Sequence, residues 1–152
     1  MPIFDLLSRQ DGLELPSMEE LREGRALRVE DAMRRPGAPV LHSDETLADA
    51  LARLQGVSEQ FFLVSFPTGR WAGVQMETLL KFASDGKLQE PLRSLLDIQR
   101  LPRLHPDQSL DLALRLLRDR PYLPVVHRAD ARRLEGILSL SDVISSYRRT
   151  PA

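Results

Sequence analysis

Two stretches of the chain carry the same apolar stripe. Leu47, Ala50, Leu51 and Leu54 fall at i, i+3, i+4 and i+7, and Leu110, Ala113, Leu114 and Leu117 repeat the spacing 63 positions later. That period puts the four side chains on one face of a helix, which has to be buried against a partner. A short extended step precedes each stripe, Val40-Leu41 and Arg103-Leu104, and leads to an aspartate, Asp44 or Asp107, suited to cap the helix. Apolar runs follow at Phe61-Phe62-Leu63-Val64 and Leu123-Pro124-Val125-Val126 and predict buried strands. Turns are expected at Pro67-Thr68-Gly69 and from His127 to Arg132, then second strands at Trp71 to Val74 and Leu134 to Leu138. Each copy closes with a helix, Glu77 to Ala83 ended by Asp85-Gly86, and Ser141 to Tyr147.

One offset of 63 also superposes Pro39 on Pro102, His42 on His105, Arg70 on Arg133 and Gly73 on Gly136 without a gap, which reads as an internal duplication. The order within each copy is β-α-β-β-α. A single copy has only a marginal core. The expected fold is therefore α+β, with the two copies packed sheet to sheet about a pseudo-two-fold axis and two equivalent clefts between them.

In the second copy the apolar run ending at Leu138 passes straight into Ser139-Leu140-Ser141-Asp142, the Ser-x-x-acid form of a helix start. Such a start turns unpaired N–H groups and the positive end of the helix dipole toward the cleft, which suits a phosphate or sugar. The same pair also serves as a capping device worth about 1 kcal/mol with no ligand. By the offset Ser139 falls on Met76 and Asp142 on Leu79, so the first copy is expected to lack both groups.

Gly136-Ile137-Leu138-Ser139-Leu140-Ser141-Asp142 resembles the closing motif of a CBS domain. With the repeat, residues 29–150 resemble a pair of such domains, a Bateman module. The division expected is an arm over 1–28, a first repeat over 29–88 and a second over 89–152. The resemblance implies a nucleotide site in which Ser139 and Asp142 of one copy face Val57 and Ser58 of the other, with ATP, ADP or AMP as ligand. It implies a degenerate second cleft at Arg120, Pro121 and Tyr122, either empty or holding something through Arg120 and Tyr122. It also implies a homodimer.

The leading residues Pro2 to Leu7, Gln10-Asp11-Gly12, Leu15-Pro16 and Val29 to Met33 resemble the linker that follows the last membrane helix of bacterial CLC chloride channels and transporters. That implies a regulatory domain at the cytoplasmic face of the membrane, modulating a transport domain of the same parent chain. The alternative is a CBS-pair nucleotide sensor that regulates a separate enzyme or transporter.

Composition narrows these readings. The 152 residues are 42% hydrophobic and 28% charged, without cysteine, which excludes disulfides, thiolate metal sites and a cysteine nucleophile. No apolar run reaches the roughly eighteen residues of a membrane span, and no signal-peptide pattern opens the sequence. Residues 1–91 hold 10 basic and 15 acidic side chains, whereas 92–152 hold 11 arginines, no lysine and 7 acidic side chains. The second half thus favours anions, and arginine must meet any phosphate. The basic density and aromatic interleaving of a nucleic-acid platform are missing, so nucleic acid is not an expected partner. No His, Asp or Glu spacing suits a metal, and no Gly-x-Ser-x-Gly elbow occurs, so no catalytic constellation is expected and the chain does not read as an enzyme. His42 and His105 share one repeat position and read as structural, and Trp71 reads as core or dimer contact.

Overall fold

The structure, a computed structural model, describes residues 27–96 and 100–149. The expected arm over residues 1–28 lies outside the described residues but for Leu27 and Arg28. The first half comprises α1 (Val29–Ala32), β1 (Leu41–His42), α2 (Leu47–Arg53), β2 (Phe61–Ser65), β3 (Trp71–Gln75) and α3 (Met76–Ser84). The second comprises α4 (Leu92–Leu95), α5 (Leu110–Leu117), β4 (Leu123–His127), β5 (Asp130–Leu138) and α6 (Leu140–Arg149). The result is the expected α+β fold built from two like units. β1 runs parallel to β2, which pairs antiparallel with β3. In the second unit β4 and β5 form the hairpin, and Leu104 makes a parallel bridge to Val125 where β1 stands in the first.

The two apolar stripes form α2 and α5, but neither expected aspartate caps its helix. Thr46 Oγ1 accepts from the N–H of Asp49 at 3.1 Å, and Ser109 Oγ accepts from that of Leu112 at 3.2 Å. The aspartates sit two residues earlier, in exposed turns, where Asp44 pairs with Arg93 and Asp107 with Arg128. Those turns are closed by Glu45 and Gln108, whose side chains accept from the N–H groups of His42 and His105 at 2.7 and 2.9 Å.

A single gapless offset does not survive the strand registers. Phe61 pairs with Gln75 and Leu123 with Leu138, so β4 follows β2 by 62 positions whereas β5 follows β3 by 63. The connection from helix to strand is one residue shorter in the second unit. It turns at Arg118, with φ 49°, where the first turns at Gly56, with φ 77°. A side chain at positive φ is strained, and this one directly precedes Asp119-Arg120-Pro121.

The leading segment of each unit crosses to the other. Arg34 pairs with Ile137, exchanging N–H···O bonds of 3.0 and 2.8 Å, and Arg100 bridges Ala72 while the N–H of Leu101 donates to Trp71 O at 3.0 Å. Val29 and Ala32 of α1 accordingly join the core of the second unit, with Leu110, Leu114, Leu123 and Val143. Leu92 and Leu95 of α4 join that of the first, with Leu41, Leu47, Phe62 and Leu79. A third cluster, Leu63, Trp71, Tyr122, Val126 and Ile137, lies between the units and joins them. Trp71 is 1% exposed there, and its Nε1–H donates to Ala131 O at 2.7 Å.

Both tyrosines of the chain are engaged in this architecture. Tyr122 sets its ring edge-on to Phe61, centroids 5.0 Å apart, and donates its hydroxyl to Phe61 O at 2.8 Å. Burial, aided by the Glu59 carboxylate, pushes the Tyr122 phenol up to about 12. Burial, aided by Asp111, does the same for Tyr147, also to about 12. A phenol held above its unfolded value of about 10 binds its proton more tightly in the folded state, so stability is retained below pH ~10 and lost as pH rises toward 12. Alkaline titration at the tyrosinate absorbance should show no phenolate at pH ~10.5 while circular dichroism reports a folded chain. A half-ionised tyrosine at that pH in folded protein would contradict the burial of the two rings.

Candidate functional site

The junction of β5 and α6 is a reciprocal cap. Asp142 Oδ2 accepts from Ser139 N–H at 2.9 Å and from Ser139 Oγ at 2.8 Å, while Ser139 Oγ accepts from Asp142 N–H at 3.2 Å. Arg34 closes the outer side, its Nε–H donating to Asp142 Oδ1 and Oδ2 at 3.0 and 3.2 Å. Arg34 gets there because its backbone pairs with Ile137, two residues before Ser139. Gly136 permits that approach: a Cβ on it would lie 2.9 Å from Arg34 O. The carboxylate singled out from the sequence is thus satisfied by the cap and an ion pair, with its side chain only 13% exposed.

Val57 and Ser58 belong to the connection between α2 and β2. Val57 rests half-buried on the first unit's core, and its N–H donates to Leu54 O at 3.1 Å. Ser58 is exposed, and its carbonyl accepts from Gln60 Nε2 at 3.4 Å. No hydrogen bond among the described residues joins this pair to Ser139 or Asp142.

The pseudo-equivalent cleft is where the structure shows a cavity, of about 740 Å³, walled by both units. From the first unit come Phe61, Gly73, Gln75, Thr78 and Phe82, and from the second Asp119, Arg120 and Pro121, with Leu95, Leu96, Arg100 and Leu101 between. Arg120 is among its lining residues. Tyr122 is not among the lining residues, being buried behind Phe61 with its hydroxyl committed. The strand register keeps Ser139 opposite Met76 and Asp142 opposite Leu79, but α3 starts one residue sooner after its strand than α6 does. β3 continues to Gln75 and α3 begins at Met76, so Gln75 occupies the N-cap place of Ser139, and Thr78 the place of Asp142. Leu79 is fully buried in the core.

This helix start differs chemically from the other. Gln75 makes no side-chain cap bond, so the first-turn N–H groups are not closed off by their own N-cap. Arg120 Nη1 donates to the Leu116 carbonyl at 2.7 Å, a neutral partner that fixes the guanidinium without cancelling its charge. Arg100 forms no ion pair among the described residues, and Asp119 forms none either. A hydroxyl, an amide, a carboxylate, two guanidinium groups and a helix N-terminus therefore line a space bounded by Phe61 and Phe82. That combination of apolar walls and a few convergent polar groups, in a volume between 300 and 1,000 Å³, is typical of small-molecule sites. Sequence reasoning missed Thr78 and Arg100. The signal for Thr78 was a hydroxyl three residues after Gln75, hidden by a one-residue misplacement of the helix start, whereas Arg100 has no local signature.

Among the described residues no group of three His, Asp or Glu side chains could hold a metal ion, and no helix is long and apolar enough to cross a membrane.

Residues 96–149 match the CBS domain family. No curated protein matches the sequence significantly. Among solved structures, CbpB in complex with c-di-AMP superposes with a TM-score of 0.65 at 10% identity, covering 86% of this chain and 90% of that one. A CBS domain pair/ACT domain protein from Thermotoga maritima gives 0.61 at 23% identity over 83% and 100%. A CBS domain-containing protein of unknown function from Bacillus anthracis gives 0.66 at 16% over 86% and 99%. CBS domain pairs are generally regulatory modules without catalysis of their own. The second repeat thus matches the CBS domain family, and the two repeats together share the fold of a CBS domain pair, the arrangement called a Bateman module.

Proposed function

We propose that this chain is a regulatory module that senses an adenine nucleotide between its two repeats and acts on a separate enzyme or transporter. The observation that carries the reading is the cavity of about 740 Å³ walled by both repeats, with Thr78, Arg100 and Arg120 on its rim. The base is accommodated against Phe61 and Phe82. Thr78 and the start of α3 meet ribose or phosphate oxygens, and the two guanidinium groups meet phosphate charge. CbpB, which shares the fold, was solved with c-di-AMP, an adenine dinucleotide, and this supports the ligand class.

A nucleotide at Ser139, Asp142, Val57 and Ser58 belongs to the same proposal under one condition. A ribose has to compete with Arg34 for the outer oxygen of Asp142, so that cleft is latched. Regulation follows from linkage: a ligand that contacts both repeats favours the arrangement in which both walls are in reach, and a partner that prefers the same arrangement is bound more tightly. The reading as the regulatory domain of a CLC channel or transporter rests on the leading segment, most of which lies outside the described residues. Homodimerisation is likewise part of the proposal.

Thermal melts with ATP, ADP, AMP and c-di-AMP test the reading. A ligand at one hundred times its Kd stabilises by about 2.7 kcal/mol, or about 5–10 °C for a chain of this size. No shift with any of the four at millimolar concentration in folded protein would sink the sensor reading and leave a scaffold.

A further inference from the structure

We propose that the concave surface at the beginning of β3, which shares Arg100 and Leu101 with the inter-repeat cleft but is otherwise walled by different residues, is a second anion site, and that it takes the oligophosphate group of a small molecule. It encloses about 730 Å³ and is lined by Arg70, Arg100, Arg103 and His105, with Thr68 and Trp71. No carboxylate is among its lining residues. Several arginines elsewhere face acids: Arg34 meets Asp142, Arg53 meets Glu45 and Arg128 meets Asp107, at 3.0, 2.7 and 2.6 Å. Among the described residues Arg70, Arg100 and Arg103 form no such pair.

Two of the three are nonetheless held in place, by neutral groups. Arg103 Nη1 donates to Gly69 O at 2.9 Å, and the Arg70 guanidinium lies over the Phe66 ring, 5.4 Å from its centroid. His105 is fixed likewise: its Nδ1 lies 3.1 Å from Val126 O, and since a carbonyl only accepts, Nδ1 carries the proton. Fixed cations whose charge is left unneutralised repel one another, and one multivalent anion relieves all of them at once. Guanidinium forks suit phosphate oxygens, and three of them exceed the need of a single monoester. Nucleic acid fits poorly, because Trp71, the one indole in the wall, is buried and offers no face for a base.

Trp71 is the chain's only tryptophan and lines this cavity, so its emission reports occupancy. Inorganic tripolyphosphate titrated into the protein should change that emission saturably. Arg70→Gln with Arg103→Gln should weaken the midpoint about tenfold or more, and Arg70→Gln alone, which keeps the Arg103 bond to Gly69, should weaken it in the same direction. Arg120→Gln, in the other cavity, should leave it unchanged. ATP identifies the source: an ATP response of Trp71 that persists in Arg120→Gln assigns the site to a nucleotide's phosphate chain, whereas a response to tripolyphosphate alone assigns it to free oligophosphate. No emission change at millimolar tripolyphosphate, or a change that survives in folded double variant, overturns the site. A response lost in Arg120→Gln also overturns it, by moving the anion to the inter-repeat cleft. The inter-repeat reading can fail, with no nucleotide shift in melting, while this site still responds.

Discussion

Trp71→Ala should lower the unfolding free energy by about 3–5 kcal/mol, the range for removing a large buried aromatic side chain. Trp71 is the largest of the fully buried side chains and stands in the cluster that joins the two repeats, against Leu63, Tyr122, Val126 and Ile137. Its removal leaves a void at that seam, and Ala131 O loses the donor at 2.7 Å. Each repeat keeps its own cluster, around Leu47 and Phe62 in one and Leu110 and Leu123 in the other. The variant should therefore lose cooperativity between repeats as well as stability. Urea unfolding followed by circular dichroism measures both. A loss below about 1 kcal/mol with one sharp transition would mean that the crossed leading segments, not the central seam, join the halves.

Gly136→Val should be the next most damaging change, costing about 1–3 kcal/mol as an overpacked site. A Cβ at this position would lie 2.9 Å from Arg34 O and 3.3 Å from Met33 Sδ. The nearer atom is backbone and bonded at 2.8 Å to the N–H of Ile137, so relief requires the crossing segment to move away from β5. That movement withdraws Arg34 from Asp142. The variant should thus lose stability and at the same time open the latched cleft. A Gly136→Val protein as stable as the parent would show that the segment around Arg34 is not held against β5.

What could be read from the sequence was what is encoded within a few residues. The stripes of α2 and α5 carry their period in four side chains each, and the strands at Phe61 and Leu123 are dense apolar runs. The helix starts were misplaced by two residues because aspartate and threonine both serve as caps, and the choice fell to Thr46 and Ser109 once Glu45 and Gln108 closed the preceding turns. α1 and α4, of four residues each, are too short to show a period. Their roles come from crossing to the other repeat, a property of the tertiary fold. The candidate site divides the same way. Ser139 and Asp142 form a local motif, and their mutual bonds are local, but the arginine that occupies Asp142 lies 108 positions away. α3 follows β3 directly at Met76, whereas Ser139 stands between β5 and α6, and that one-residue difference was enough to hide Thr78.

The most direct measurement is calorimetric titration of ATP, ADP and AMP into the parent chain and two variants, one for each cleft. Thr78→Val with Arg120→Gln alters the open cavity, and Asp142→Ala removes the latched carboxylate; circular dichroism confirms that each is folded. Saturable binding near one site per chain, abolished by the first variant and kept by the second, is the expected result. Binding abolished by Asp142→Ala and untouched by the paired change would place the nucleotide at the latched cleft and contradict the assignment to the cavity lined by Thr78, Arg100 and Arg120.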